Sequence, residues 1–447
     1  MNKIIFKRIS ILFITAILCF SVSGCRRKEN KQEIYFLNFK PEIAEAYDKI
    51  AIEYEKLTGV KVKVSTAAAN TYEQTLKSEI AKKDAPTIFQ INGPIGYESW
   101  KNYCADLKDT QLYSILSDKS LAVMGKDGGV YGIPYAIEGY GIICNTEKFD
   151  EYFALDDRQD DVNSFDEIDS FEDLRTVVED MTRHKAQLSI EGVFASTSLL
   201  SGEDWRWQTH LANIPFHLEA TENDYNIGEG VEEFKFTHNQ YMKNLFDLYI
   251  SNSVTEKTLL GSKSVADSMA EFALGRCAMV QNGNWAWSQI KNVPSNQVSE
   301  ESIRFLPLYT GSPMDEDLGL CIGTENYFCI NANASDEKKK LADDFLYWLF
   351  SSETGKGFVA NELDFITPFR TFTEKQTPND PLAREINRWL KKENVESVPW
   401  SFVAFPSTDF KNDFGSALLS YAQEKTSWDD VVRTVTERWK EEAKRGR

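Results

Sequence analysis

The chain has 447 residues, of which 42% are hydrophobic and 13% aromatic, and a formal net charge of −19 at pH 7. A chain of this length can bury a sizeable core, and two domains are the default expectation. The acidic balance argues against nucleic acid and against electrostatic adhesion to a membrane, and it is compatible with an uncharged ligand.

The first 24 residues predict an export signal. Three basic side chains precede an apolar run from Ile9 to Phe20, which is too short for a stable membrane span. The next residues, Val22-Ser23-Gly24-Cys25, resemble a bacterial lipobox, in which the chain is cut before a cysteine that carries diacylglycerol. Cleavage there would leave Cys25 as a lipidation site on a polar tether, residues 25–33, and would move the net charge to −22. An ordinary signal peptide with an incidental cysteine is the alternative.

The residues from 34 to 91 alternate between strand and helix patterns. In chain order we predict strand Ile34–Phe39, a helix from Ile43 to Leu57 that Gly59 ends, strand Val60–Val64, a helix over about 70–82, and strand Thr87–Ile91. This alternation within a short span indicates βαβ units and a parallel sheet. The loops that follow the strands would line one edge of that sheet.

The later part of the chain predicts a second domain. A hairpin at 128–135 is followed by an apolar strand, 136–145, and we expect the chain to cross into the second domain after Asn145. A strand or strand pair at 318–330 precedes the predicted return. We therefore assign 34–145 and about 331–370 to an N-terminal lobe, and 146–330 and about 371–447 to a C-terminal lobe with the closing helices.

The cysteine and histidine patterns give no sign of catalysis or of a metal site. Beyond Cys25 there are five cysteines, none in a metal-binding spacing, and an odd number in an exported chain excludes full pairing within the chain. We expect buried free thiols. The four histidines form no metal-ligand or triad pattern, so we predict no metal, no cofactor and no enzyme activity.

The stretch from Gly275 to Ile290 carries the clearest signal of a binding site. An apolar strand runs into Asn282-Gly283-Asn284, which predicts a turn with Asn284 as the N-cap of a helix. Trp285 and Trp287 follow in the first turn of that helix. Ligands of open α/β sheets lie at the carboxyl ends of strands, and amides beside an indole face suit a sugar ring. Alternatively, both tryptophans belong to the core and the asparagines only cap and turn.

Loops at other strand ends supply the remaining candidates. In the first part of the chain these are Asn38, Lys40, Glu42, Asn92 and Glu138, the last in an apolar strand. In the second part they are Trp205, Trp207, Asn282, Asn284, Trp285, Glu325, Asn326 and Trp400, with Phe405 as a weaker candidate. Trp205 and Trp207 are two residues apart and do not share a helix face, so we expect only one of them to stack on ligand.

Several of these candidates have a structural alternative. Glu42 could serve only to stabilise the helix N-terminus that follows it. Glu138 could belong to a structural network, because a buried carboxylate needs partners. Core packing is the alternative for Trp400 and Phe405. Many tryptophans and few basic residues at these loops favour a neutral carbohydrate over a phosphorylated one.

Three stretches, taken in chain order, are similar to those of a known family. They are Val130–Asn145, Ala270–Trp287 and Ala342–Gly357, and Gly355 stands where the family pattern often has Gln. In this order, and behind a lipobox, they resemble the family 1 extracellular solute-binding proteins of bacterial ABC importers, the maltose-binding-protein-like group. The resemblance covers the chain from about Ile34 to its end.

The resemblance implies an α/β, two-lobed, periplasmic-binding-protein-like fold of type II, with the ligand in a cleft between the lobes and hinge closure on binding. It implies a monomer that captures a carbohydrate, such as an oligosaccharide, and delivers it to the transmembrane permease subunits of an ABC importer. The protein would be lipid-anchored on the outer face of the cell membrane, which is the periplasmic side if the organism has an outer membrane. Some members of the family bind polyols, glycerol phosphodiesters, thiamine or metals.

Two rival functions remain open at this stage. The extracellular binding partner of a two-component sensor would share the fold and the ligand, and sequence alone does not separate it from an importer component. A secreted glycoside hydrolase would need two carboxylates about 5–10 Å apart, for which Glu138 and Glu325 are the candidates.

Overall fold

The computed structural model describes residues 32–68, 71–225, 227 and 231–445. The predicted signal peptide, the predicted lipidation site Cys25 and the first part of the predicted tether lie outside the described residues.

The bounds of the regular elements are as follows. In chain order the strands are β1 (Glu33–Asn38), β2 (Lys61–Thr66), β3 (Ile88–Asn92), β4 (Val123–Met124), β5 (Val130–Pro134), β6 (Glu138–Asn145), β7 (Met279–Gly283), β8 (Ile303–Leu306), β9 (Leu318–Gly323), β10 (Asn326–Ile330) and β11 (Glu396–Val398). The α-helices are α1 (Ala44–Thr58), α2 (Tyr72–Glu79), α3 (Gly93–Trp100), α4 (Gln111–Ile115), α5 (Thr146–Phe153), α6 (Phe171–Arg183), α7 (Asn213–Glu222), α8 (Asn239–Ser251), α9 (Val265–Ala273), α10 (Ala286–Lys291), α11 (Asp336–Ser351), α12 (Glu353–Asn361), α13 (Pro381–Leu390), α14 (Thr408–Ala422) and α15 (Trp428–Arg445). A π-helical segment spans Arg206–Leu211.

Helix α1 shows how a predicted pattern folds. Tyr47, Ile50 and Tyr54 recur every three or four residues, so they share one helix face, and all three are buried. Gly59 ends the helix in the left-handed conformation, with φ +78°, and donates its N–H to the Glu55 carbonyl at 2.8 Å. The predicted helix and its predicted end are confirmed.

The first sheet has the strand order β2-β1-β3-β10-β5-β4. Strand β1 runs parallel to β2 and β3, as the βαβ pattern predicts, whereas β10 runs antiparallel between β3 and β5. Strands β4 and β5 form a hairpin over 123–134 that contains the Gly128-Gly129 turn, so the hairpin predicted at 128–135 begins five residues earlier than expected. The sheet is therefore mixed. Because β1 and β3 are parallel, the loops that follow them lie at the same edge of the sheet.

The second sheet is built around β6. Its strand order is β11-β9-β6-β7, and β8 also pairs with β6. Strand β6 runs antiparallel to β7, β8 and β9, and every one of its residues is buried. A strand enclosed by neighbours on both edges and covered on both faces reads as a continuous apolar run, as this one does.

The chain crosses between the lobes one strand away from each predicted boundary. Strand β6 pairs entirely within the second sheet, so the first crossing lies at residues 135–137 rather than after Asn145. Strand β10 pairs within the first sheet, so the return lies at Thr324–Glu325 rather than near residue 331. The apolar pattern of a buried strand does not say which sheet receives it, which is why these two strands were assigned to the wrong lobes.

A third connection lies beside the first crossing. Ile366 pairs with Ile137, and Phe369 pairs with Leu116 in the first lobe. Helix α13 then packs on β8 and β9 in the second lobe. Residues 370–380 therefore lead from one lobe to the other, and the connections between the lobes run close together.

The five cysteines of the described residues are buried free thiols, as expected; they are Cys104, Cys144, Cys277, Cys321 and Cys329. In the described ranges, no helix combines the length and the apolar character that a membrane span requires.

We expect Gly59→Ala to lower the free energy of unfolding by about 1 kcal/mol, because a Cβ disfavours the left-handed conformation. Gly357→Ala is the matched control, since Gly357 lies inside α12 and an added Cβ there, as at Gly59, would have no atom within 4 Å. Gly357 does not have a positive φ. Alanine at this helical position should therefore raise the free energy of unfolding by about 0.5–1 kcal/mol, because it restricts the unfolded chain. Urea unfolding measures both changes, and an unaltered Gly59→Ala variant would contradict the left-handed helix end.

Candidate functional site: the cleft between the lobes

A cavity lies where the two lobes meet. Its volume is about 30 Å³, which holds about two water molecules. The first lobe, the second lobe and the connections between them all contribute to its lining, which consists of Lys40, Glu42, Ile43, Ala136, Ile137, Glu138, Asn284, Trp285, Trp287, Ser288, Leu363, Asp364, Phe365 and Asp380. The lobes therefore stand close together here, and a sugar ring would need them to part.

A buried ion pair joins the lobes at this cavity. Lys40, in the loop after β1, places Nζ 2.7 Å from Oε1 of Glu138, the first residue of β6. Asn326, the first residue of β10, donates from Nδ2 to Oε2 of Glu138 at 3.2 Å. Glu42 approaches the same ammonium group at 3.8 Å. Sequence analysis predicted all four residues at the site, and the structure brings them together.

The charged state of Lys40 is stabilised by its neighbours. Its side chain is 7% exposed and that of Glu138 is 5% exposed, so both charges are removed from water. Burial by itself disfavours the ammonium form, but the carboxylates of Glu138 and Glu42 outweigh it and raise the pKa of Lys40. Lys40 is thus charged at physiological pH, and each partner of the pair offsets the desolvation of the other.

Two tryptophans form a wall beside this ion pair. The rings of Trp205 and Trp285 lie 5.9 Å apart between centroids, and both are only partly buried. Lys40 Nζ lies 5.4 Å from the centre of the Trp285 ring, and the Arg206 guanidinium lies 3.8 Å from that of Trp205. Both distances lie within the range of a cation–π interaction.

Glycines at two strand ends make room for indoles. A Cβ at Gly283 would lie 2.2 Å from atoms of the Trp285 ring, and a Cβ at Gly323 would lie 2.2 Å from the Trp400 ring. Both distances are shorter than any real contact, so only glycine lets these rings lie against the strands. Gly283 belongs to β7 rather than to a turn, and its function is to provide space.

Asn284 links two strands and does not cap a helix. Its Oδ1 accepts a hydrogen bond from the Gly139 N–H at 3.0 Å, and its own N–H donates to the Gly139 carbonyl at 3.0 Å. Helix α10 begins after Trp285, and no side chain caps it. The predicted N-cap is therefore wrong, although Asn284 does line the cavity.

Several side chains that were predicted to contact the ligand are instead bonded or packed within the protein. Trp207 is fully buried, and its Nε1 donates to the Thr197 carbonyl at 3.0 Å. Asn38 donates from Nδ2 to the Lys40 carbonyl at 2.7 Å and to Thr66 at 3.1 Å. Asn282 is fully buried and accepts from Arg206 at 3.1 Å, and Phe405 packs among other aromatic rings. Of the pair Trp205 and Trp207, only Trp205 keeps an accessible ring.

Two further candidates lie at the margins of the cleft. Asn92 is half-buried at the end of β3, where its register partner is Asn326. Trp400 is 5% exposed and lies 5.2 Å from the ring of His210. Trp400 is therefore largely a packing residue, in agreement with the core-packing alternative. Its Nε1 nevertheless has no hydrogen-bond partner among the described residues.

The π-helical segment adds residues that sequence analysis missed. The Ala212 N–H donates to the Trp207 carbonyl five residues back, at 3.1 Å, which widens this turn. Arg206 and His210 both lie on the segment and both are 1% exposed. The sequence Trp205-Arg206-Trp207 could have indicated Arg206, because an arginine between two candidate ligand-stacking tryptophans is placed to lie near the ligand.

Glu325 and His210 meet in the second crossing. Glu325 Oε2 lies 3.7 Å from His210 Nε2. Burial, with a contribution from the nearby Glu138 carboxylate, raises the pKa of Glu325 to about 7, and burial lowers the pKa of His210 to about 3. His210 is therefore neutral at physiological pH, and Glu325 is close to the midpoint of its titration.

Among the described residues, no group of three or more His, Cys, Asp or Glu side chains is arranged to hold a metal ion. The chemistry of the cleft is that of ion pairs, amides and indole faces.

A family model described as bacterial extracellular solute-binding protein matches residues 49–383, about three quarters of the chain. This chain belongs to that family. No curated protein has a sequence that matches it.

Solved structures of similar solute-binding proteins share the fold. A chitin oligosaccharide binding protein matches with a TM-score of 0.72 at 17% identity, covering 93% of this chain and 100% of its own. RafE in complex with raffinose matches with a TM-score of 0.67 at 18% identity, covering 92% and 99%. Maltose-bound MalE3 of T. maritima matches with a TM-score of 0.67 at 14% identity, covering 91% and 99%. The predicted two-lobed fold of type II, maltose-binding-protein-like, is confirmed.

In this solute-binding protein we expect Glu325 to make folding stability depend on pH. The folded protein retains a proton on Glu325 up to about pH 7, whereas the unfolded chain releases it near its ordinary pKa of 4.5. The contribution of Glu325 to the free energy of unfolding therefore falls as pH rises through this window, by at most about 3 kcal/mol. Glu325→Gln should gain stability relative to wild type between pH 5 and pH 8, as measured by urea unfolding.

Glu393→Gln, at an exposed position, controls for the loss of one negative charge. If the difference in free energy of unfolding between Glu325→Gln and wild type were the same across this pH range, that result would contradict the raised pKa.

Proposed function

We propose that this solute-binding protein captures an oligosaccharide in the cleft between its lobes and delivers it to the permease of an ABC importer. The observation that carries the proposal is the Trp205–Trp285 wall, with both rings partly accessible, beside carboxylates and amides at the lobe junction. An indole face covers the apolar side of a sugar ring while carboxylates and amides bond its hydroxyls. The proteins of similar fold include ones that bind chitin oligosaccharide, raffinose and maltose.

Within the cleft we assign different functions to the candidate residues. Trp285, Trp205, Asn284, Glu42 and Glu325 are the proposed ligand contacts, because each is partly accessible at the cleft. Lys40, Glu138 and Asn326 are proposed to hold the site together from both lobes, since they already bond one another. A site of this kind discriminates against a sugar that lacks one of the bonded hydroxyls.

A closed arrangement of the lobes is supported by further contacts between them. Ile95 of α3, in the first lobe, packs against the core of the second lobe, and Gly93 lies close to Val403. An open arrangement would lose these contacts. Ligand contacts made by both lobes would then bias a two-state equilibrium toward closure.

The proposed location is the outer face of the cell membrane, with a lipid anchor on Cys25. We expect Cys25→Ser to move the protein from the detergent phase to the aqueous phase of a Triton X-114 partition, because each acyl CH₂ contributes about 0.8 kcal/mol to membrane binding. Cys19→Ser is the matched control, since Cys19 lies in the segment that cleavage would remove. A wild-type protein that already partitions into the aqueous phase would argue for an ordinary signal peptide.

A glycoside hydrolase remains the alternative in another class, because Glu325 and Glu138 are two neighbouring carboxyl groups of which one has a raised pKa. Against it, both oxygens of Glu138 are already bonded, one to Lys40 and one to Asn326. Incubation with the oligosaccharides that bind decides the question, and released sugar would favour the hydrolase.

The proposal is tested by a thermal-shift screen of the mature chain, with Cys25 replaced by serine, against oligosaccharides, polyols, amino acids and phosphodiesters. A ligand that binds only the folded state at a hundredfold excess over its Kd stabilises it by about 2.7 kcal/mol. A shift with saccharides alone supports the proposal. A shift with a non-sugar solute alone would keep the fold and overturn the carbohydrate assignment.

We expect Trp285→Ala to weaken binding of the saccharide found in that screen by more than about 30-fold, or about 2 kcal/mol. The truncation removes one of the two indoles of the wall. Trp348→Ala is the matched control: Trp348 is also partly buried but lies on α11, where it packs against Tyr54. Titration calorimetry measures both affinities. Equal losses in the two variants would show that Trp285 acts through stability and not through contact.

A further inference from the structure

Arg206 is a buried cation without a counter-ion. The residue is 1% exposed, and its guanidinium donates one hydrogen bond, from Nη2 to Oδ1 of Asn282 at 3.1 Å. Its Nε and Nη1 atoms are buried and have no partner, and no described carboxylate forms an ion pair with it. A guanidinium has five N–H donors and stays charged, so this arrangement leaves donors unpaired inside the protein. The Trp205 ring and the more distant carboxylates of Glu203 and Glu42 offset the charge without bonding it.

Other unmatched donors border the same aromatic wall. The Tyr140 hydroxyl and Trp400 Nε1 are buried without a partner. Tyr140 lies 4.3 Å from the ring of His210 and 6.1 Å from that of Trp285, and His210 lies 5.2 Å from Trp400. Gln281 Oε1 and His210 Nε2 are buried acceptors that also lack a partner. Native structures leave few buried polar groups unpaired, so a group of them around one cleft points to a missing partner, which for the donors must be an acceptor.

His210 does not supply that acceptor. Its Nδ1 lies 3.4 Å from the Trp205 carbonyl, an acceptor, which assigns the proton to Nδ1 and leaves Nε2 as a lone pair. That lone pair faces Glu325 at 3.7 Å. At 3.7 Å the two groups are beyond hydrogen-bond distance, and His210 Nε2 has no partner. Arg206 and Trp400 Nε1 can only donate, and the Tyr140 hydroxyl, which can donate or accept, forms no hydrogen bond with either of them.

The two ends of the wall differ in charge. At the Trp285 end, Lys40 is matched by Glu138 at 2.7 Å and by Glu42 at 3.8 Å. At the Trp205 end, Arg206 has no such match. We propose that the cleft takes an acidic oligosaccharide whose anionic group, such as the carboxylate of a uronic acid, bonds Arg206 at the Trp205 end.

This inference rests on the proposed function and narrows it to one class of saccharide. An anion suits the site because a charged acceptor satisfies several donors at once, and charge-assisted hydrogen bonds are about twice as strong as neutral ones. A neutral saccharide would leave the guanidinium charge without a partner in the closed cleft. Carboxylate, sulfate and phosphate groups share this chemistry, so the experiment separates them.

The test is titration calorimetry of the mature chain, with Cys25 replaced by serine, on matched pairs of saccharides. Digalacturonate is compared with galactobiose, and galactobiose is compared with its sulfated and phosphorylated forms. We expect one acidic member to bind at least tenfold more tightly than galactobiose. Arg206→Gln should weaken binding of that acidic member at least thirtyfold and binding of galactobiose less than threefold.

Arg304→Gln is the control, because Arg304 is a half-buried arginine that lies on β8 and is paired with Asp166 and Glu385. It should leave the ratio of acidic to neutral affinity unchanged. The thermal midpoint of ligand-free Arg206→Gln provides a second measurement. Removing a buried charge without a counter-ion should leave the midpoint unchanged or raise it.

The outcomes separate the inference from the proposed function. If neutral members bind as tightly as acidic ones, or if Arg206→Gln weakens both equally, the acidic-saccharide inference is overturned and the proposed function stands. A midpoint lowered by more than 5 °C in ligand-free Arg206→Gln would make Arg206 a structural residue and would also overturn it. If no saccharide of either kind binds while a non-sugar solute does, the proposed function fails and the inference fails with it.

Discussion

The ion pair between Lys40 and Glu138 is the interaction on which the architecture of the cleft depends. It joins a loop of the first sheet to the first residue of the central strand of the second, over 98 positions of sequence. Both charges are buried, so loss of either partner would leave an unpaired charge at a cost of about 3–5 kcal/mol. Glu138 directly follows the first crossing, at residues 135–137, so the pair lies next to the hinge.

The parts of the fold that sequence analysis predicted are those set by local patterns. The helix that Gly59 ends, the parallel set β1, β2 and β3, and the hairpin of β4 and β5 all follow from periodicity and turn residues. The lobe crossings did not follow, because sheet membership is a matter of pairing between distant segments. Strand β6 finds its partners more than 130 residues away in β7, so an apolar run ending at Asn145 carries no mark of the sheet that it joins.

The same distinction holds within the site. Lys40, Glu325 and Trp285 were predicted because they follow predicted strands, at whose ends ligands bind. Glu138 was predicted because a carboxylate within an apolar strand needs partners. Trp207 and Asn282 were assigned to the ligand because their chemistry fits a sugar, but neighbours that no local pattern reveals enclose them. Arg206 was missed for the converse reason. Its importance comes from what it lacks, a counter-ion, and only the packed structure shows that.

The net negative charge of the protein and the buried cation Arg206 act on a ligand over different distances. The net charge of −19 acts on an approaching ligand from outside, where salt screens it beyond about 8 Å at physiological ionic strength. In the proposed complex Arg206 acts only at short range, where little water remains and an unmatched charge interacts more strongly. The outer field therefore governs the rate at which a ligand arrives, whereas the inner contact governs how long it stays once the lobes have closed. An acidic exterior is for this reason compatible with an anionic ligand: it slows association at low salt without weakening the closed complex, and affinity is set by the residues that meet the ligand when water is excluded.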